Sequence, residues 1–162
     1  MAHLLDANCF IEPFLHYYGF DVCPGYWSWI EQQNVAGELF SIDKIKDELT
    51  EKGDDLSDWA DTKDDTFFLP VDNATLVEYA RIITWVNAQN YTNPAKRRFA
   101  AGADPFLIAF ALAHGHIIVT HETHEPLRRN KVKIPNVCLQ FGVNWMMLHD
   151  FLKSKGVRFT LV

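Results

Sequence analysis

Four acids stand where a chain of this kind could place chemistry. Asp6 ends the short apolar run of Leu4 and Leu5, and Glu122 is the acid of the polar stretch Thr120, His121 and Glu122 at which the strand with the β-branched run Ile117, Ile118 and Val119 stops. Asp104 opens the apolar stretch that precedes that second run, and Glu48 borders the apolar positions of the segment LFSIDKIKDEL. In open parallel sheets ligands bind outside the carboxyl ends of the strands, so Asp104 and Glu122, at a helix start and a strand end, could face one crevice. Read on their own segments, Asp6 is first a turn aspartate and Glu48 first a solvated helix glutamate. The order and spacing of all four make the case that one segment does not.

Three other chemistries are set aside. His121-Glu122-Thr123-His124 lacks the i, i+4 histidine pair of the zinc-protease helix, because Glu125 occupies the required place. Asp6-Ala7-Asn8 has an asparagine where an aspartyl-phosphate enzyme would want a second acid. His114, His116, His121 and His124 straddle a turn and a buried strand, which argues against a histidine-only metal site.

The elements that must position the acids can be read from apolar periodicity and punctuation. Gly102 to Glu122 gives a helix with Asp104 at its N-cap and Pro105 at its first position, then Gly115 at C′ and a strand over Ile117–Val119. HLLDANCFIEPFLHYY gives a first strand and a helix capped by Asn8. Leu39–Ile42 reads as a second strand, followed by a helix from Asp43. Pro70 confines FFLPVD to a sheet edge. Asn73–Asn90 is a long amphipathic helix with Leu76, Ala80, Ile83 and Val86 inward, and Tyr91–Ala101 a polar linker. Asn136–Leu139 reads as a short strand, Trp145–Lys155 as a helix capped by Asn144 and ended by Gly156, and RFTLV as strand-like. Tyr26, Trp27 and Trp29 offer either base stacking or a small core, and the core is the commoner use.

With 162 residues and 48% hydrophobic content, the chain is expected to form one domain, 1–162. No apolar run approaches a membrane span and no basic region precedes an apolar N-terminus, so no membrane association is expected. Cys9, Cys23 and Cys138 form no CxxC pair, which points to a reducing cytoplasm. Net charge is −6, but residues 1–80 carry 4 Lys against 17 acids, whereas residues 81–162 carry 11 Lys and Arg against 4 acids. This asymmetry suggests a polyanion-facing surface. Lys96, Arg97 and Arg98 on one side, and Arg128, Arg129, Lys131 and Lys133 on the other, are either solvated loops or phosphate contacts beside the crevice.

The phrases LLDANCFIE, SIDKIKDEL and ADPFLIAFALAHGHIIVTHE, in that order, resemble the PIN-domain ribonucleases, which include the VapC-type toxins of toxin–antitoxin pairs. FDVCPGYW and KVKIPNVC resemble a less-studied PIN-like branch. The resemblance implies an α/β, Rossmann-like PIN domain, with a central, mostly parallel sheet flanked by helices and carboxylates at the strand ends. Clustered carboxylates repel one another, and Mg²⁺ or Mn²⁺ relieves this with hard-oxygen coordination. By this resemblance Asp6 and Asp104 are the main metal ligands, Glu48 a direct or water-mediated one, and Glu122 completes the site. Asn8 and Thr120 would orient the carboxylates. Many PIN domains carry aspartate where Glu122 stands, and Glu125 competes for the role. The expected function is a metal-dependent endoribonuclease, the toxin of a toxin–antitoxin pair, with RNA as substrate, Arg97, Arg98, Arg128, Arg129 and Lys131 as nucleic-acid contacts, and an antitoxin protein as partner. A homodimer is expected by analogy. The alternative is a catalytically silent PIN-like module that binds RNA or protein. A structure-specific DNA nuclease is a weaker third reading, because the chain is short for such an enzyme's extra elements.

Overall fold

In the computed structural model, which describes residues 1–160, five parallel strands form one sheet flanked by helices. Along the chain run β1 (His3–Leu5), α1 (Asn8–Glu12), a π-helical turn (Pro13–Tyr17), α2 (Pro24–Val35), β2 (Leu39–Ile42), α3 (Asp43–Thr50) and α4 (Asp55–Asp61). There follow β3 (Phe68–Leu69), α5 (Asn73–Ala88), α6 (Asn93–Ala101), α7 (Asp104–His114), β4 (Ile117–Thr120), α8 (Ile134–Phe141), β5 (Trp145–Met147) and α9 (Leu148–Ser154). Strand order is β3-β2-β1-β4-β5, so the winding reverses between β1 and β4. Leu4 pairs with Phe40 on one side and with Ile118 on the other. The crevice of an open parallel sheet lies at such a reversal, just where Asp6 and Glu122 leave their strands.

The core forms around the central strands, with Leu4, Leu5, Ile118 and Val119 fully buried as short apolar runs of a doubly covered sheet should be. Helix α7 buries Leu107, Ile108, Ala109, Phe110 and Ala111 and ends at Gly115, whose φ of 72° is left-handed and suits glycine. The aromatic question at α2 is answered by burial: Tyr26 and Trp27 are in the core, and Trp29 packs against it. Tyr26 donates to the Cys9 carbonyl at 2.6 Å, tying α2 to α1. No helix among the described residues is long and apolar enough to cross a membrane.

Several local expectations are corrected. Residues Tyr91–Ala101 are no linker: Thr92 accepts from the Ala95 N–H, Pro94 sits in the first turn, and α6 buries Ala95 and Phe99. Asn136–Leu139 lies inside α8 and is no strand. Ile134, Pro135, Val137 and Cys138 are buried there, and Gly142 at φ 70° closes the helix. A short apolar run cannot by itself be told apart as helix or strand, and here Pro135 in the first turn fits the helix. Trp145–Met147 is strand β5, paired with β4 from Ile118↔Trp145, so the last helix starts at Leu148 and Asn144 is not its cap. Helix α5 ends at Ala88 and turns Thr75, Ile82 and Val86 inward, leaving Leu76 47% exposed and Ala80 exposed. Its face is set by the Asp72 cap on Thr75 and by the stack of Tyr79 on Phe106, 4.3 Å between ring centroids. Neither Asn8 nor Asp104 is a cap, because each is already the first helical residue, after Ala7 and Ala103 in helical conformation. Arg158, Phe159 and Thr160 form no strand, and the rest of RFTLV lies outside the described residues.

Candidate active site

The site begins with two strand ends and one helix start. Asp6 follows β1 and is 1% exposed, and its backbone N–H donates to the Val119 carbonyl, which locks it beside β4. Thr120, the last residue of β4, donates through Oγ1 to Asp6 Oδ2 at 3.0 Å and accepts from the Glu122 N–H at 3.1 Å. One hydroxyl thus fixes two acids. Asp104 enters from the first turn of α7. Because it starts the helix and caps nothing, its carboxylate is free to face the crevice. Glu48 reaches the rim from the last turn of α3, exposed as a residue but with its carboxyl partly shut in.

The charges of these acids act on one another. Burial, then Glu122 and Glu48, pushes the Asp6 carboxyl up to about 7, against the opposing Thr120 donor. Asp104 is raised well above the usual carboxylate range, first by burial and then by Asp6, Glu122 and Glu48, with Lys131 opposing. Glu48 is raised by burial and by Glu51. Desolvation and like charge both disfavour the ionised form of these three acids, and Lys131 offsets only part of this at Asp104.

Glu122 is an exception within the cluster. It is 6% exposed, and both its oxygens have partners: Oε1 is paired with the Lys131 ammonium, and Oε2 accepts from the Ile134 N–H at 2.7 Å at the start of α8. Burial works against the Lys131 charge, but Glu122, with Asp104 and Asp6 behind it, holds the lysine pKa above its usual value. Glu125, the competing acid, points elsewhere. Its carboxylate pairs with Lys133 at 3.0 Å and Arg128 at 3.1 Å, and its backbone N–H donates to Asn136 Oδ1. The structure therefore places Asp6, Glu48, Asp104 and Glu122 near enough for their charges to act on one another, and engages Glu125 with Lys133 and Arg128 instead.

The expected nucleic-acid contacts divide. A 540 Å³ recess lined by Lys44, Asp47, Glu48, Glu51, Arg98 and Asp104 opens on one side. A 150 Å³ recess lined by Arg98, Phe99, Asp104, Lys131 and Val132, among others, opens on the other. Arg98 and Lys131 therefore border the acids. Arg97 is exposed and lines neither recess. Arg128 is engaged by Glu125 and Asn130, and Arg129 donates to the carbonyls of Pro126 and Arg128. Asn8 makes no side-chain hydrogen bond to the acids, whereas Thr120 does. Sequence reasoning missed the anchor role of Lys131 and the Ile134 N–H. The Ile134-Pro135 step was the available signal for a helix start there.

Carboxylate oxygens with raised proton affinity are the right donors for a hard divalent cation, so the chemistry of the set fits Mg²⁺ or Mn²⁺. Among the described residues, no three His, Cys, Asp or Glu side chains stand close enough together to enclose an ion as they are. The residues fit in kind; closing round an ion would require side-chain movement.

Comparison with curated proteins gives no match. Among solved structures, the fold is similar to a chain in the crystal structure of VapBC2 from Rickettsia felis bound to a DNA fragment from their promoter. The TM-score is 0.53 at 11% identity, with 91% of this chain and 98% of that chain covered. Likeness at that identity concerns the fold: an α/β domain with a parallel sheet and helices on its faces. A family model matches residues 3–159, and the chain belongs to the family described as Domain of unknown function (DUF4411).

Proposed function

We propose that this protein is a metal-dependent endoribonuclease that hydrolyses RNA phosphodiester bonds with Mg²⁺ or Mn²⁺, acting in the cytoplasm as the toxin of a toxin–antitoxin pair. The observation that carries the reading is the group of four acids at the sheet's switch point, with the carboxyls of Asp6 and Asp104 raised by burial and by neighbouring acids. The resemblance of the acid-bearing motifs to PIN-domain ribonucleases, and the likeness in fold to VapBC2, support it. When bound, the cation supplies Lewis acidity and neutralises charge at the phosphate. Asp6, Asp104 and Glu48 would hold it, with Glu122 as the fourth acid. Thr120 orients Asp6, and Arg98 and Lys131 hold the RNA backbone beside the acids. An antitoxin protein is the proposed partner, and a homodimer the proposed assembly.

The second reading is a catalytically silent module that binds RNA or protein. One observation favours it: both oxygens of Glu122 are already occupied from within the chain. Cleavage of a mixed RNA substrate with Mn²⁺, Mg²⁺ or EDTA separates the two. Metal-dependent cutting by the wild type that is lost in Asp104→Asn is expected. Equal activity in both proteins would sink the proposed site, and inactivity together with absent metal binding would leave the silent module.

A further inference from the structure

Glu122 poses a charge problem that the chain itself solves. A carboxylate 6% exposed is costly unless paired, and its partners here are one ammonium and one backbone N–H. Among the described residues no other cation is paired with Glu122. Lys133 and Arg128 are held by Glu125, and Arg98 donates to the Asn130 carbonyl. The lysine comes from the loop between β4 and α8, which is fastened at both ends. Asn136 holds the Glu125 backbone, and the Thr92 N–H donates to the Arg129 carbonyl. With its side chain 45% exposed, Lys131 lies between the buried acid and the 150 Å³ recess that it shares with Asp104 and Arg98.

We infer that Lys131 is a resident cation of this site: its ammonium fills the Glu122 side of the carboxylate cluster, so the chain takes one divalent ion, on the remaining acids, and not two. This rests on the metal-site reading above and goes beyond it, because it fixes the number of ions and gives Glu122 a positioning role. Glu122 holds the lysine, which lines the same recess as Arg98, where a phosphate oxygen would meet both. The end of β4 couples the two halves, since the Thr120 hydroxyl touches both Asp6 and the Glu122 backbone.

The test is the stoichiometry of MnCl₂ binding, measured by calorimetry and by the loss of the free-ion paramagnetic resonance signal. Wild type should bind one ion. Lys131→Met leaves a buried carboxylate without its counter-charge and should bind a second ion, a gain that damage to the fold would not produce. Lys131→Arg keeps the charge and should remain at one ion. Lys131→Met combined with Glu122→Gln should return to one, because the acid that recruited the second ion is gone. Two ions in wild type, or one in both wild type and Lys131→Met, overturns the inference while leaving the metal site intact. No binding by wild type or any variant overturns both.

Discussion

The Thr120 hydroxyl and the Asp6 carboxylate meet at 3.0 Å across the junction of β4 and β1, and the same hydroxyl receives the Glu122 backbone N–H. A threonine on a strand can therefore tune an acid on its neighbour. Thr120→Val keeps the shape and removes both bonds. It should cost about 1–3 kcal/mol in urea unfolding, because a buried acceptor and a buried donor lose their partner. It should also weaken Mn²⁺ binding relative to wild type, because Asp6 loses the donor that favours its ionised form. Unchanged stability and Mn²⁺ affinity would mean that the hydroxyl orients nothing.

The pH dependence of the metal-free protein should carry a signature of the buried acids. Asp6 titrates near 7 in the fold and near 4 when unfolded, so between those values the native state holds a proton that the unfolded chain has released. Stability measured in EDTA should therefore fall as pH rises from about 4 to about 7. Asp104 shifts in the same direction. Asp6→Asn removes one such group and should be more stable than wild type at pH 8 by on the order of a few kcal/mol. Parallel pH profiles for the two proteins would refute this.

Tyr26 tests the core independently of the site. Its hydroxyl donates to the Cys9 carbonyl at 2.6 Å, and its ring stacks on Tyr18 with centroids 5.0 Å apart. Tyr26→Phe retains the ring and strands the carbonyl, so the expected loss is about 1–3 kcal/mol in chemical denaturation. Mn²⁺ binding should not change, and a large change there would show that α2 supports the acids directly.

Arg98 and Arg97 are sequence neighbours with different surroundings. Only Arg98 lines the two recesses that meet at Asp104. In fluorescence anisotropy with a labelled single-stranded RNA in EDTA, Arg98→Ala should weaken binding and reduce the slope of log affinity against log salt by about 0.7. Arg97→Ala should leave both nearly unchanged. Equal effects would place the RNA on the outer surface of α6.

Much of the candidate site was legible because strand ends and helix starts carry local marks. An apolar run that stops at an acid showed Asp6, a β-branched run followed by Thr120, His121 and an acid showed Glu122, and Pro105 followed by Gly115 bracketed the helix that begins at Asp104. What misled was ambiguity of period in short segments. The Asn136–Leu139 run suits a strand as well as the helix it joins, and Trp145–Met147 suits a helix as well as the edge strand it forms. The inward face of α5 was legible only at its end: Val86 is buried and Ile83 packs against the core, whereas Leu76 and Ala80 are exposed because the Asp72 cap and the Tyr79–Phe106 stack turn Thr75 inward.

The sequence by itself determined an α/β chain with buried parallel strands, an acid at two of their exits and a helix beginning at Asp104, because burial and turn chemistry act over a few neighbouring residues. Tertiary structure alone decided that Glu122 and not Glu125 joins Asp6 and Asp104, and that Lys131, nine residues further along, neutralises it. Those outcomes depend on how the loop between β4 and α8 folds back over the strand ends. Spacing along the chain does not encode which of two nearby acids a lysine will meet; the packing of α8 against α7, with the Ile134 N–H on Glu122, does.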